Sequence, residues 1–345
     1  MDLGVLQGLA TGEKLKPEVE RSSAAQLLAD PARAAALGLT PQNVEVAVQR
    51  QVSLLQQVYP ALAGISQTFG SSGLETAWTL WLPLALQLHD RKQTLEQPLV
   101  QGILGGQGTG KTTLSRILTL LLRSLGDTTV SLSIDDLYKT YAERQHLQTL
   151  DPRLRWRGPP GTHDVALGLR VLEELRQGQA ALPRFDKSLH NGAGDRVASE
   201  PVAGIDIVLF EGWFVGAQPV DPQVFDNPPE PIVTAADRSF ACDINANLRE
   251  YLPLWEQLDS LLVLCPEDYR YSKEWRRQAE QEMKALGKPG MSDAEVDAFV
   301  EYFWKALHPD LFIQPLVATP AADFVIEIDR HHRPGAMYRG GKREA

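Results

Sequence analysis

Cysteine is scarce in this chain: two in 345 residues, Cys242 and Cys265, far apart in sequence. Two thiols build neither a disulfide framework nor a four-thiolate metal site. Cys265 closes the apolar run Leu261-Leu262-Val263-Leu264 and reads as a small buried hydrophobe. A reducing compartment is expected, with the cytoplasm as the default. No apolar run approaches the ~20 residues of a membrane span, so no membrane association is expected. The opening residues include Asp2, Glu13, Glu18 and Glu20, and lack the basic start and apolar stretch of a secretory signal. Excess positive charge is absent as well. A net charge of −10 argues against a broad nucleic-acid-binding surface. An acidic protein that handles phosphates has to concentrate its arginines and lysines locally, so function is sought where they cluster. No internal repeat is visible.

What the chain does have is a hydrophobic share of 43% and a charged share of 23%, ordinary for a soluble globular protein. It also has Gly105-Gly106-Gln107-Gly108-Thr109-Gly110-Lys111-Thr112, which fits the phosphate-cradling pattern G-x-x-x-x-G-K-[ST]. The flanks fit too. Leu99-Val100-Gln101-Gly102-Ile103-Leu104 reads as a buried strand, and after Thr113 the residues Leu114, Ile117, Leu118, Leu121, Leu122 and Leu125 recur at helical spacing. Strand, glycine loop and helix start point several backbone N–H groups at one anion. Residues 105–113 are therefore the candidate nucleotide site. Lys111 is expected along the outer phosphates, and the Thr112 hydroxyl on Mg²⁺.

The organisation around this loop is α/β. Residues 1–97 are expected to be an N-terminal helical region. Thr40-Pro41 is read as an N-cap with proline at the first helical position, followed by an apolar face of Val46, Val52, Leu55 and Tyr59. Residues 98–345 are expected to form the nucleotide domain, with strands at 99–104, 130–134, 205–210, 260–265 and 324–328. Helices between them imply a five-stranded parallel sheet covered on both faces. Further helices are expected at 110–125, after Asp164, near 244–257, at 268–286 and from Ser292, where Glu295 completes a capping-box pattern. The proline-rich, acidic stretch 216–236 reads as irregular. Ligands of such sheets bind beyond the carboxyl ends of the strands, so the glycine loop and the acidic strand ends should meet.

Phosphoryl transfer needs a metal on the phosphates, cations for developing charge, and a carboxylate for the acceptor's proton. Asp135 and Asp136 follow the second strand. Successive strand side chains point to opposite sides, so only one aims at the reacting centre. Asp135 is chosen as the general base, and Asp136 as a cap or turn residue. Glu211 ends the third strand, where a carboxylate faces Mg²⁺ or its waters. The interval 155–196 concentrates Arg157, His163, Asp186, Lys187 and Arg196 with Arg155 and Arg184, a basic pocket suited to an anionic acceptor. Arg276 and Arg277, in the basic helix 268–286, are expected to act as lid residues that bring positive charge to the transferred phosphate. His331, His332 and Arg333 follow the fifth strand, either beside the base or as a surface tail.

Together these residues resemble the phosphoribulokinase/uridine kinase group of P-loop kinases. The likeness rests on Ser133-Ile134-Asp135-Asp136-Leu137-Tyr138, on Pro183-Arg184-Phe185-Asp186, and on Arg196. Within that group the chain is similar to the D-glycerate 3-kinase family of plants, cyanobacteria and fungi. That narrower likeness adds Gly161-Thr162-His163-Asp164, Lys187-Ser188, Gly194-Asp195-Arg196, Phe210-Glu211-Gly212-Trp213, Trp275-Arg276-Arg277-Gln278-Ala279-Glu280 and Lys288-Pro289-Gly290-Met291-Ser292. It covers roughly residues 75–335. The resemblance implies a P-loop kinase fold and transfer of phosphate from ATP, with Mg²⁺, to D-glycerate, giving 3-phosphoglycerate. In a photosynthetic organism that reaction belongs to photorespiration. Leu137 stands where the group often has phenylalanine, a packing change. Phe185 stands for tyrosine and removes a hydroxyl.

Two other readings keep the glycine loop. One is a kinase of the same fold acting on pantothenate, uridine or another alcohol, which would differ in the interval 155–196. The other is a non-catalytic switch or an assembly ATPase. Against a GTP-binding switch, no Asn/Thr-Lys-x-Asp base-reading sequence occurs. No protein partner is legible.

Overall fold

The computed structural model of the chain describes residues 2–69, 72–287 and 290–342. Eight strands are present among them: β1 (Leu99–Gly105), β2 (Thr129–Ser133), β3 (Gln179–Asp186), β4 (Asp195–Ala203), β5 (Ile207–Gly212), β6 (Ser260–Pro266), β7 (Phe324–Ile328) and β8 (Pro334–Tyr338). Six of them form one sheet in the order β2-β5-β1-β6-β7-β8. The first five in that order run parallel, as expected from the helices between them. The sheet has one strand more than expected: β8 adds antiparallel to the edge of β7. β3 and β4 form a separate antiparallel hairpin, also unexpected.

Burial explains why the parallel strands form. All seven residues of β1 are buried, as are all six of β5, because helices cover both faces. Side chains alternate between two cores. Leu99 and Ile103 enter one, together with Leu118 and Leu122 of the Lys111–Ser124 helix and Leu6, Leu55, Trp78 and Leu82 of the first ninety residues. Val100 and Leu104 enter the other, with Phe210, Phe214, Tyr251 and Phe303. Each fully buried leucine contributes about 2 kcal/mol by removal from water.

The helices before β1 span Leu3–Ala10, Pro17–Leu28, Pro31–Ala36 and Val44–Phe69, then Ser72–Thr76 and Leu82–Gln93 with a wider turn between. They are tied to the sheet by polar contacts too. Arg33 donates to Gly335 O of β8 at 2.8 Å, and His89 meets Asp127 at 2.8 Å. Thr40 does not cap a helix. Its N–H is taken by Asn43 Oδ1, and the helix starts at Val44, so Pro41 lies in the preceding turn and Val46 is exposed. The helix expected near 244–257 starts earlier, at Ala235, capped by the Thr234 side chain. It ends at Asn247 and gives way to two short turns, Leu248–Tyr251 and Leu252–Trp255. The capping box of Ser292 and Glu295 forms as expected.

Candidate active site

β1 sits where the strand order reverses, with β5 on one side and β6 on the other, and its carboxyl end opens a crevice at that switch point. There the chain turns through the glycine loop into the Lys111–Ser124 helix. Gly108 and Gly110 have φ of +80° and +88°, a region that disfavours any side chain. A Cβ on Gly105 would lie 2.5 Å from Thr109 Oγ1, and one on Gly108 2.7 Å from Cβ of Trp275. Backbone therefore lines the cradle by necessity. Lys111 Nζ and Thr109 Oγ1 both donate to Gly106 O at 2.9 Å, closing the loop on itself. Lys111 is surrounded mostly by protein. Burial lowers its pKa, and the negative charges of Glu211 and Asp135 work against that fall.

Strand register brings the acidic ends to this loop. Ser133 of β2 lies opposite Glu211 of β5, and Glu211 opposite Ile103 of β1. Glu211 is 6% exposed. Its Oε1 accepts from Thr112 Oγ1 at 3.0 Å, while the buried Oε2 has no protein partner. Burial raises its pKa, opposed by Lys111 and by the Thr112 hydrogen bond. A buried, unpartnered carboxylate oxygen beside a threonine hydroxyl is the donor set that a hard cation takes, so these two residues fit Mg²⁺.

Asp135 and Asp136 lie on a 3₁₀ turn, Ile134–Leu137, and not on the strand itself. The turn separates them. Asp136 Oδ2 accepts from Ser133 N–H at 3.0 Å in a capping box and meets Arg184 at 3.3 Å. Asp135 faces the crevice: Oδ1 accepts from Tyr138 Oη at 2.7 Å, and Oδ2 from Lys187 Nζ at 2.6 Å. Burial pushes the Asp135 pKa up, but Lys187 and the Tyr138 hydroxyl outweigh it and hold the carboxyl below its usual range.

The basic interval divides in the same way. Lys187 reaches Asp135 from the turn between β3 and β4. Arg196 is occupied: Nε donates to Tyr138 O at 2.7 Å, and another nitrogen pairs with Asp164 at 3.0 Å. Arg157 donates to Gly192 O and Ala193 O at 2.7 and 3.1 Å. Asp186 is spent on the turn, accepting from Ser188 N–H and Oγ–H at 2.8 and 2.6 Å. The structure thus puts Lys187 on the candidate base and puts Arg157, Asp186 and Arg196 into the scaffold that holds the hairpin.

His163 is 2% exposed and stacks on Tyr138, ring centroids 4.6 Å apart. Its Nδ1 lies 2.8 Å from Tyr251 Oη, and that oxygen accepts from Gly161 N–H at 2.9 Å. The tyrosine hydrogen is then free for Nδ1, which assigns the imidazole proton to Nε2, an atom with no protein partner. Burial takes the His163 pKa down to about 3, so the ring is neutral near pH 7.

The basic helix spans Tyr271–Ala285. Trp275 packs on Gly108, donates Nε1–H to Arg330 O at 2.8 Å, and stacks on His332 at 4.6 Å. Arg276 and Arg277 are not brought to the Lys111 cluster. Arg276 pairs with the buried Glu280 at 2.5 Å and lies over the ring of Phe299, while Arg277 pairs with both oxygens of Asp297 at 2.5 and 2.7 Å. A largely apolar cavity lined by Trp213, Phe303 and Trp304 touches the loop only at Gly106 and Gln107. It carries none of the charged groups above, so the chemistry is sought at the polar cluster. Lys288 and Pro289 lie outside the described residues.

No family model matches the chain. The "D-glycerate 3-kinase, chloroplastic" of Arabidopsis thaliana is 31% identical over 324 residues, 86% of this chain and 69% of the relative. The chain belongs to the D-glycerate 3-kinase family. A kinase of Schizosaccharomyces pombe, described as uncharacterized, is 33% identical over 218 residues, 60% of this chain and 79% of its own. The solved D-glycerate 3-kinase of Cryptococcus neoformans superimposes with a TM-score of 0.66 at 29% identity, covering 74% of this chain and 96% of that one. The fold is that of this P-loop kinase family. Sequence reasoning on this D-glycerate 3-kinase family member gave no role to Tyr138, Tyr251 or Trp275, the first and last of which stood only within the motifs of the resemblance. Tyr138 carried a signal, standing three residues after Asp135, the distance at which a tight turn brings side chains together. Tyr251 and Trp275 meet the site from distant elements, and nothing in their local spacing pointed to a role.

Proposed function

We propose that the chain transfers the γ-phosphoryl group of ATP, with Mg²⁺, to the 3-hydroxyl of D-glycerate. One observation carries the reading: Asp135, a carboxylate whose only ion-pair partner among the described residues is the exposed Lys187, stands in the same crevice as the glycine loop, Lys111 and Glu211. In this reading the backbone N–H groups of residues 106–112 hold the nucleotide's phosphates. Lys111 leaves Gly106 O for a phosphate oxygen, exchanging a neutral partner for a charged one. Thr112 and Glu211 hold Mg²⁺, which when bound neutralises phosphate charge. Asp135 takes the proton of the acceptor hydroxyl. Lys187 lies beside it with a positive charge for the acceptor's carboxylate, and the neutral His163 contributes a hydrogen-bond donor to the same pocket. Arg276 and Arg277 act once released from Glu280 and Asp297.

The family assignment and the two relatives named for D-glycerate support the acceptor. The two free cysteines fit a reducing compartment such as the cytoplasm, while the Arabidopsis relative is named as chloroplastic. Among the described residues no helix is long and apolar enough to cross a membrane. The test is turnover of purified protein with ATP, Mg²⁺ and a panel of D-glycerate, pantothenate and uridine, with products read by ³¹P NMR. D-glycerate should be preferred and phosphorylated on its primary hydroxyl. Faster turnover of pantothenate or uridine, or ATP consumption indifferent to D-glycerate, overturns the reading.

A further inference from the structure

We propose that Lys187 makes the site selective for acceptors that carry their own anion, because it blocks Asp135 until a substrate carboxylate draws it away. The inference rests on the kinase reading above and specifies how that site recognises its substrate class, a small hydroxy acid as against a neutral alcohol.

Both oxygens of Asp135 are engaged, Oδ1 by Tyr138 and Oδ2 by Lys187. The two partners differ in freedom. Tyr138 is buried and stacked on His163, so its hydroxyl is fixed. Lys187 stands on an exposed hairpin turn with its side chain 58% exposed, and its ion pair among the described residues is with Asp135. The neighbouring cations of the acceptor side are committed to protein. Lys139 donates to Gly161 O, Arg144 to Lys139 O and Ala193 O, Arg157 to Gly192 O, Arg184 to Glu200, and Arg196 to Tyr138 O and Asp164. Arg155 lies over the rings of Trp156 and Tyr302, and among the described residues Lys187 is thus the cation on Asp135 itself, placed to move to a new anion without dismantling the scaffold.

The other groups facing Asp135 set its basicity once the lysine has moved. Lys187 approaches from the hairpin, Tyr138 and Asp136 from its own turn, His163 from the loop before the Val165–Arg176 helix, Lys111 from the glycine loop, and Glu211 from the end of β5. With Lys187 on a substrate carboxylate, burial and the charges of Asp136 and Glu211 make Asp135 more basic, as proton abstraction requires. The acceptor O–H bond then breaks and its proton passes to Asp135. The oxygen's electron pair forms the new bond to the γ-phosphorus, and the bond to the β-phosphate oxygen breaks with its pair leaving on ADP. A neutral alcohol leaves Lys187 in place and the base stays masked.

Lys187→Met tests this, with Lys187→Arg as the charge-conserving control. In the protein without nucleotide, ¹³C-carboxyl NMR should show Asp135 titrating higher in Lys187→Met than in the parent. Saturating D-glycerate should raise it in the parent, and glycerol should leave it unchanged. In turnover, Lys187→Met should lower kcat/KM for D-glycerate and raise it for glycerol by ~10-fold, the rate equivalent of about one pKa unit. Lys187→Arg should keep the parental preference. An Asp135 titration indifferent both to D-glycerate and to Lys187→Met overturns the proposal. So does a glycerol rate that falls along with the D-glycerate rate. If the parent protein does not phosphorylate D-glycerate, the acceptor assignment fails by itself, while the Asp135 titration in Lys187→Met still decides the masking.

Discussion

His163 should make the protein lose stability in mild acid. The unfolded chain binds a proton at a histidine near pH 6.5, whereas the buried ring refuses it until about pH 3. Its contribution is therefore complete above pH 6.5 and is lost as pH falls, because the unfolded state binds more protons throughout that window. At 1.36 kcal/mol per pH unit of separation, lowering the pH from 7 to 5 costs about 2 kcal/mol at this one site. His163→Asn removes the titrating group and keeps an acceptor for the Tyr251 hydroxyl. The variant loses the stacking on Tyr138 and leaves a void, a penalty equal at both pH values. His308 and His332, also depressed by burial, are present in both proteins and cancel. Urea unfolding at pH 7 and pH 5 should show the pH-linked loss reduced by about 2 kcal/mol in His163→Asn. An equal loss in both proteins refutes the neutral, buried imidazole and with it the donor assigned to Nε2.

Gly108→Ala forces a side chain into φ +80°, costing ~1–2 kcal/mol, and drives its Cβ into Trp275. ATP affinity by calorimetry and the melting temperature should both fall, and parental affinity would show that Trp275 gives way freely. Arg196→Ala should destabilise the protein by about 1–3 kcal/mol by stranding Tyr138 O and Asp164, with a smaller effect on the D-glycerate KM than Lys187→Ala. A KM effect with unchanged stability would place Arg196 on the substrate. Glu211→Gln keeps the Thr112 hydrogen bond and removes the charge, so the Mg²⁺ concentration for half-maximal turnover should rise. An unchanged Mg²⁺ dependence would remove Glu211 from the metal.

The parts of the fold that sequence revealed are those where burial dictates composition. β1, β5, β6 and β7 are mostly apolar because helices cover both faces, and the glycine loop is marked by residues that no others replace at positive φ. The β3–β4 hairpin escaped because main-chain pairing and ion pairs such as Arg184–Glu200 hold it, leaving Arg184, Asp186, Asp195 and Arg196 in a stretch without apolar alternation. β8 escaped because Pro334-Gly335 begins it, which an edge strand tolerates and a sequence pattern reads as a turn. In the site, convergence of Asp135 and Glu211 on the loop followed from where strands end. Which cations stay available did not. The partners that occupy Arg157 and Arg196 are mainly backbone carbonyls, and those have no signature in side-chain sequence. The split between Asp135 and Asp136 was expected from strand alternation, but it arises from a 3₁₀ turn whose capping box claims Asp136.

Single-turnover phosphoryl transfer to D-glycerate by Asp135→Asn, with ATP binding measured alongside, bears most directly on the assignment of Asp135 as the proton acceptor. ATP should bind as in the parent protein while the transfer rate falls at least ~10²-fold. Transfer at close to the parental rate would contradict it and show that another group takes the acceptor's proton.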